Sequence, residues 1–313
     1  MTKLGFMYDA GGAASPGAPG EPATFLGLPA AALGEARARA VILGADTATP
    51  YPSVGAYCAG GAAAIRAGSR DWAAAAGHVN FDLGRAARPD AVDAGDLPLD
   101  PADPEGNRAR IREAVGAVAA RGAVPVILGG DDSVQIPMLE AVPGPLHILQ
   151  IDAHIDWRDE VGGERWGLSS VMRRASEMAH VRGLVQVGQR GFGSAREADL
   201  RDALGWGAVM VPAREVRSGG VARAVAAIPE GARVAVCLDL DGLDPSAVPS
   251  VIARAPGGLT HWDVLDLVEG VAARAEVVAL GVVEMMPERD VDGMGAQAAA
   301  MLVASMLGIV APA

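Results

Sequence analysis

Residues 147–156 read HILQIDAHID. The first five form a nearly unbroken apolar run, which suits a strand covered on both faces. The last five place Asp152, His154 and Asp156 two residues apart. In extended chain alternate side chains share a face, so these three can converge on one point at the carboxyl end of the strand.

Comparable runs recur outward from this stretch: AVILGAD at 40–46, VPVILGG at 124–130, LVQVG at 184–188, AVMVP at 208–212, RVAVCLDLD at 233–241 and VVALGVVE at 277–284. Helical patterns lie between them. In GNRARIREAVGAVAARG, Ile111, Val115 and Val118 form one stripe, and Gly122 is the stop signal. In LTHWDVLDLVEGVAARA, Thr260 is the expected N-cap with Asp263 three residues on, and Val264, Leu267, Val268 and Val271 fall at helical spacing. Strands alternating with helices predict an α/β fold with a mostly parallel central sheet and helices on both sides. In such sheets ligands collect at the carboxyl ends of the strands. Residues 1–25, rich in glycine and proline, are expected to be irregular, and residues 26–313 to form one α/β domain.

The chain has 313 residues and is 50% hydrophobic, enough for a substantial core. Its formal charge is −12, and Lys3 is its only lysine. No basic block exists to neutralise a phosphate backbone, which argues against nucleic acid as a partner. The first 22 residues lack an unbroken apolar stretch and do not read as a signal peptide. No run reaches bilayer-spanning length without charges, and MLVASMLGIV near the C-terminus reads as a buried helix. Two cysteines, Cys58 and Cys237, are too few for a disulfide framework, so the expected location is a reducing cytoplasm.

Acids fall repeatedly at the expected strand ends. Asp239 and Asp241 follow RVAVCL, and in ILGGDDSV at 127–134 the glycine pair Gly129–Gly130 opens a turn before Asp131 and Asp132. Several carboxylates and an imidazole gathered at one sheet edge repel each other unless cations bind between them. Oxygen-rich ligation with an imidazole suits Mn²⁺, and Ni²⁺ or Zn²⁺ where geometry permits. A single D-x-D reads most simply as a capped turn; two such clusters, each directly after an apolar strand, point to a metal centre.

GGDDS, DAHID and DLDGLDPSAVP, in this order and spacing, resemble the signatures of the ureohydrolase superfamily of arginases, agmatinases and related amidinohydrolases. VGQRG at 187–191, PGGLT at 256–260 and Glu284 in VVEMMP extend the resemblance from about residue 40 to the C-terminus. It implies the arginase-type three-layer α/β/α fold, two divalent metal ions, usually Mn²⁺, and assembly into trimers or hexamers. By the same resemblance Asp152 and Asp239 would bridge the metals, His154 and Asp241 would complete one site, and Asp156 would ligate the other. Glu284 would pair with the substrate cation, which makes Asp156 and Glu284 the candidate catalytic residues. Hydroxide generated between the cations would attack a guanidinium carbon.

Two positions depart from the family pattern. The family has GGDHS, so Asp132 stands where a histidine ligates the first metal, and that site is in doubt. A segment resembling SHGTPFRRA, whose histidine passes protons to the leaving group, corresponds here to WGLSSVMRRA, with Leu168 at the histidine's place; residues 155–179 contain no histidine. Positioned proton transfer is typically worth ~10²–10⁴ in rate. Trp157 and Trp166 flank the altered segment and are candidate pocket residues with Leu168, where an indole face could accept an alkylated guanidinium or biguanide, or where both simply pack.

Two readings stay open. In one, the chain is the less orthodox subunit of a heteromer similar to metformin hydrolase, which is assembled from two ureohydrolase-like chains, and the metal is Mn²⁺ or Ni²⁺. In the other, it is a self-sufficient agmatinase-like hydrolase of an alkylated guanidino compound. A pure metal-binding protein is the outsider, because Glu284 would then have no purpose.

Overall fold

The computed structural model describes residues 24–75, 78–86, 89–193 and 195–313. The expectation for the N-terminal segment lies outside these residues except at its end, where buried Phe25 opens a short 3-10 turn, Phe25–Gly27, and its N–H donates to Asp93 Oδ2 at 2.8 Å.

The strands, in chain order, are β1 Ala40–Gly44, β2 Val79–Asn80, β3 Arg85–Ala86, β4 Ala91–Asp96, β5 Val124–Leu128, β6 Leu146–Ile151, β7 Val181–Val187, β8 Val209–Val211, β9 Arg233–Asp239 and β10 Glu276–Val283. Among the described residues eight of them form one sheet in the order β4-β1-β5-β10-β9-β6-β7-β8, and every pairing in it is parallel. β2 and β3 form a small antiparallel pair outside it. The seven expected runs are all strands of the sheet, and β4 is the addition.

Nine helices are described: α1 Gly61–Gly68, α2 Pro104–Ala119, α3 Gln135–Ala141, α4 Val171–Glu177, α5 Glu197–Trp206, α6 Ala213–Gly219, α7 Ala222–Ala227, α8 His261–Ala272 and α9 Met294–Val310. Alternate strand residues feed two separate cores. Val126, Leu149, Val234 and Val236 pack with α1 and α6 to α9, whereas Ile127, Ile148, Ala235 and Cys237 pack with α2 to α5. This is a three-layer α/β/α arrangement, and it explains the strands' unbroken hydrophobicity: both faces are covered.

The helix signals hold in detail. α2 starts two residues before GNRARI, because Pro104 occupies its first turn and Asp103 accepts from Gly106 N at 3.1 Å. Ile111, Val115 and Val118 are fully buried on it. Thr260 and Asp263 close a reciprocal capping box at the start of α8. MLVASMLGIV forms the buried end of α9. Cys58 and Cys237 are free thiols, both buried. No helix among the described residues is long and apolar enough to cross a membrane.

Candidate metal centre

Four adjacent central strands, β5, β10, β9 and β6, end at the same edge and deliver the acids there. After β5, Gly129 and Gly130 both take positive φ, 77° and 79°. A Cβ on Gly130 would stand 2.2 Å from the Ala45 carbonyl oxygen, and one on Gly129 2.4 Å from Ala62 N, so only glycine fits this close backbone approach. The turn passes into a short 3-10 helix, Asp132–Val134, capped by Asp131, whose Oδ1 accepts from Ser133 N at 3.1 Å and from the Ser133 hydroxyl.

Beyond β6 the chain is bent rather than extended, so the convergence of Asp152, His154 and Asp156 does not come from strand alternation. Asp156 has φ 44°, and the turn sends the three side chains to two places. His154 Nδ1 lies 3.3 Å from Asp152 Oδ1 and 3.1 Å from Asp241 Oδ2. Asp156 turns instead towards Asp132. Two ligand trios result, Asp152–His154–Asp241 and Asp132–Asp152–Asp156, with the donor atoms of each within 4.8 Å of one another and Asp152 shared. Ligands 2.0–2.6 Å from one cation have a similar span, so the residues present fit a pair of divalent cations. Asp239 lies beside the trios in the cavity wall, its Oδ1 accepting from Asp241 N at 2.7 Å.

Without cations the electrostatics are lopsided. Burial, with repulsion from Asp152, pushes the Asp132 and Asp156 carboxyls well above the usual range. Burial and Asp241 do the same to Asp239, and burial and Asp131 to Glu284. Asp241 is raised to about 6 by burial and Asp152, and Asp131 to about 7 by burial. His154 moves the other way from what burial alone would give, up to about 11, because hydrogen bonds to Asp152 and Asp241 outweigh desolvation. For Asp152, burial is outweighed by His154 and the carboxyl is lowered. One imidazolium facing this many buried carboxyls leaves an excess of negative charge that cations would relieve.

A cavity of about 210 Å³ opens over the trios, and Asp132, His154, Asp156, Asp239, Asp241 and Glu284 all face it. Glu284 Oε1 accepts from the Tyr57 hydroxyl at 2.5 Å and from Asp132 N at 2.9 Å. Leu168 and Trp157 are in the wall. The Trp157 indole N–H, however, donates to Asp202 at 2.7 Å, and its ring meets Trp206 edge-on at 6.3 Å. Trp166 is not among the described lining residues; its ring stacks under Arg108 at 5.3 Å and Arg174 at 6.0 Å. The remaining histidines lie elsewhere: His180 contacts the Leu139 carbonyl at 3.0 Å, His261 contacts Asp82 at 3.3 Å, His147 is at the start of β6, and His78 is exposed.

A profile of the arginase family matches residues 38–308. The chain belongs to the arginase family. It is 37% identical over 189 residues to a protein of Arabidopsis thaliana named arginase 1, mitochondrial, covering 57% of this chain and 53% of that one. It is also 37% identical over 166 residues to N(1)-aminopropylagmatine ureohydrolase of Thermus thermophilus, covering 52% and 55%. The chain thus spans about half the length of the curated relatives it matches. Among solved structures, proclavaminate amidino hydrolase from Streptomyces clavuligerus superposes with a TM-score of 0.78 at 27% identity, over 93% of this chain and 98% of that one.

Three buried glutamines of this arginase-family chain escaped the sequence reading. Gln150 Nε2 donates to Asp152 Oδ2 at 2.6 Å and to Asp156 Oδ2 at 2.7 Å. Gln186 Nε2 donates to Gln150 Oε1 and, at 2.9 Å, to the Ile155 carbonyl. Gln135 Nε2 donates to Asp132 Oδ1. A signal existed for two of them, because HILQI and LVQV each carry one amide in an otherwise apolar strand, and the two are register partners across β6 and β7.

Proposed function

We propose that the chain is a subunit of a metal-dependent amidinohydrolase that cleaves a C–N bond of a guanidino or biguanide compound, in an assembly similar to metformin hydrolase, with a paralogous chain supplying the orthodox active site. The observation that carries the hydrolase reading is the pair of trios sharing Asp152, with Glu284 in the wall of the same cavity. Asp132, Asp152 and Asp156 would hold one cation of the Mn²⁺ or Ni²⁺ type, and Asp152, His154 and Asp241 the other. Bound there, the cations would supply Lewis acidity and make water nucleophilic at neutral pH.

The chain's own residues do the rest. Glu284 is buried, so a guanidinium cation reaching it gains a charge-assisted hydrogen bond in a site of low dielectric. Tyr57 and the Asp132 N–H hold its carboxylate in place beforehand. The departing amine needs a proton, and here the arrangement is weak: His154 is the one imidazole among the described lining residues, and its Nδ1 lies within a metal trio. Leu168, at the place of the family's proton-passing histidine, has nothing to donate. This supports the subunit reading over a self-sufficient agmatinase-like enzyme.

The test is hydrolysis of agmatine, guanidine, guanidinobutyrate and dimethylbiguanide by the purified chain loaded with Mn²⁺ or Ni²⁺, alone and mixed with a co-encoded paralogue. Activity is expected only in the mixture, surviving Asp239→Ala in this chain. Turnover by this chain alone overturns the subunit reading in favour of the self-sufficient one.

A further inference from the structure

Asp132 invites a simple explanation, that a histidine has been lost and the first metal site has decayed. The surroundings argue otherwise. A buried carboxylate without partners is costly, and decay would leave this one among groups that once suited an imidazole. Instead every carboxylate of the trio meets a glutamine amide. Asp132 Oδ1 accepts from Gln135, while Asp152 Oδ2 and Asp156 Oδ2 accept from the single Nε2 of Gln150.

The orientation of the Gln150 amide is determined from below. Gln186 spends one N–H on the Ile155 carbonyl, which can only accept, and so presents its other N–H to Gln150 Oε1. Gln150 must therefore turn its NH₂ group towards the two aspartates. The relay is polarised, with its donors pointing at the trio. The second oxygen of Asp132, Oδ2, is buried and has no hydrogen-bond partner. Neutral amide donors add no charge and fix the direction of one oxygen each, which at Asp132 leaves Oδ2 available, while the other oxygen of Asp152 accepts from His154 N at 2.6 Å. That is what outer-layer partners do for a metal ligand.

We infer that Asp132, Asp152 and Asp156 form a rebuilt, oxygen-only site for a hard divalent cation of the Mn²⁺ or Mg²⁺ class, oriented by Gln135 and Gln150, and that the two halves of the centre differ in metal preference. Three carboxylates favour hard cations, whereas the other trio contributes an imidazole nitrogen and suits Ni²⁺ and Zn²⁺ as well. The ratio of Mn²⁺ to Ni²⁺ affinity is therefore higher at the Asp132 trio than at the His154 trio. Gln135, Gln150 and Gln186 are positioning residues that act through the ligands. The inference rests on the reading of the trios as a metal centre and not on the substrate or the partner chain.

The experiment is equilibrium dialysis of the full chain with Mn²⁺ and Ni²⁺, counted by elemental analysis and followed by the electron paramagnetic resonance of Mn²⁺. Two Mn²⁺ per chain with an exchange-coupled spectrum are expected, and Ni²⁺ should displace the ion at the His154 trio first. Asp132→His should remove that difference between the halves. Gln150→Met should weaken Mn²⁺ binding at the Asp132 trio by ~10–100-fold, and Gln186→Leu added to it should weaken binding no further. If Gln150→Met does not fold, Gln135→Met tests the same claim from the other side. A single Mn²⁺ per chain, lost with His154→Ala, overturns the inference, and so does unchanged Mn²⁺ affinity in a folded glutamine variant. Two bound Mn²⁺ with no hydrolysis by chain or mixture supports this inference while sinking the hydrolase reading.

Discussion

Glu284 sits at φ 68°, a left-handed conformation that a residue with a side chain holds only when its surroundings enforce it. Its N–H donates to the Gly130 carbonyl at 2.8 Å, and its carboxylate receives Tyr57 and the Asp132 N–H. Glu284→Gln keeps this geometry but removes the charge. Agmatine or guanidinobutyrate binding, measured by calorimetry, should weaken by ~1.5–3 kcal/mol with metal content unchanged; undiminished binding would mean that the guanidinium docks elsewhere. The pH dependence of the metal-free chain follows from the same cluster. Asp241 and Asp131 are raised to about 6 and about 7, so the stability they confer is complete below the ordinary carboxylate range and is lost as pH rises through those values. His154, raised to about 11, stabilises fully below its ordinary value near 6.5 and loses that contribution gradually above it. All three slope the same way, whereas the lowered Asp152 acts only in acid. Denaturant unfolding of the metal-free chain should therefore show stability falling between about pH 5 and pH 8 by a few kcal/mol; a rise over that window would refute the assignment. The acids themselves were legible in the sequence, since each follows an apolar run. The split of DAHID between two trios was expected from the family resemblance alone and not from the spacing, because it depends on the Asp156 turn, and two-residue spacing by itself predicts a shared face.

At the level of elements, the strands were legible where both faces are buried and illegible where one is not. β4 reads AVDAGD with alternating burial, contains Gly95 at φ 78°, and lies at the sheet edge, so it lacks the unbroken hydrophobicity that marked the other seven. Its place in the fold depends on Asp93, which receives Arg66 Nε at 2.8 Å and Phe25 N at 2.8 Å across long sequence separations. The turn after β5 makes a sharper claim. Gly130→Ala would force a Cβ against the Ala45 carbonyl in a conformation that alanine resists, and because the clash is with backbone the strand end must move. Thermal and denaturant unfolding should report a loss of more than about 1 kcal/mol, and Mn²⁺ affinity should fall with it, since Asp132 follows two residues later. Thr260→Ala at the head of α8 is the contrasting case. Loss of its capping box should cost ~1 kcal/mol and leave metal binding untouched, because the exposed Thr260 side chain makes its cap hydrogen bonds with Asp263 of its own helix. Equal effects of the two variants on metal affinity would contradict the placement of the centre at the strand ends.

On the scale of the whole molecule, the trios tie together chain segments that the sheet alone holds in parallel. Asp132 follows β5, Asp152 to Asp156 follow β6, and Asp241 follows β9, so a cation in the Asp132 trio links two strand ends that β10 and β9 separate in the sheet, and one in the His154 trio links sheet neighbours that are not consecutive in the chain. Cations that bind this edge bind only the folded chain, and saturating them to about 100 times their dissociation constant should add ~2.7 kcal/mol per site. The increment can be separated from the core. Leu302 on α9 is fully buried in the layer packed by α1 and α8, and Leu302→Ala should cost ~2–5 kcal/mol with or without metal, since distant sites add. Asp152→Ala should behave in the opposite way. It removes the one ligand common to both trios, so the difference between metal-loaded and chelator-treated protein should vanish. The metal-free chain should meanwhile also lose stability, because His154 loses one carboxylate partner and Gln150 one acceptor, a loss only partly offset by relief of repulsion among the buried carboxyls. Unfolding curves for the two variants, each with Mn²⁺ and with chelator, give four numbers. A metal increment that survives Asp152→Ala would show that the two trios do not share a ligand, and the centre would then have to be built from Asp239 and its neighbours instead.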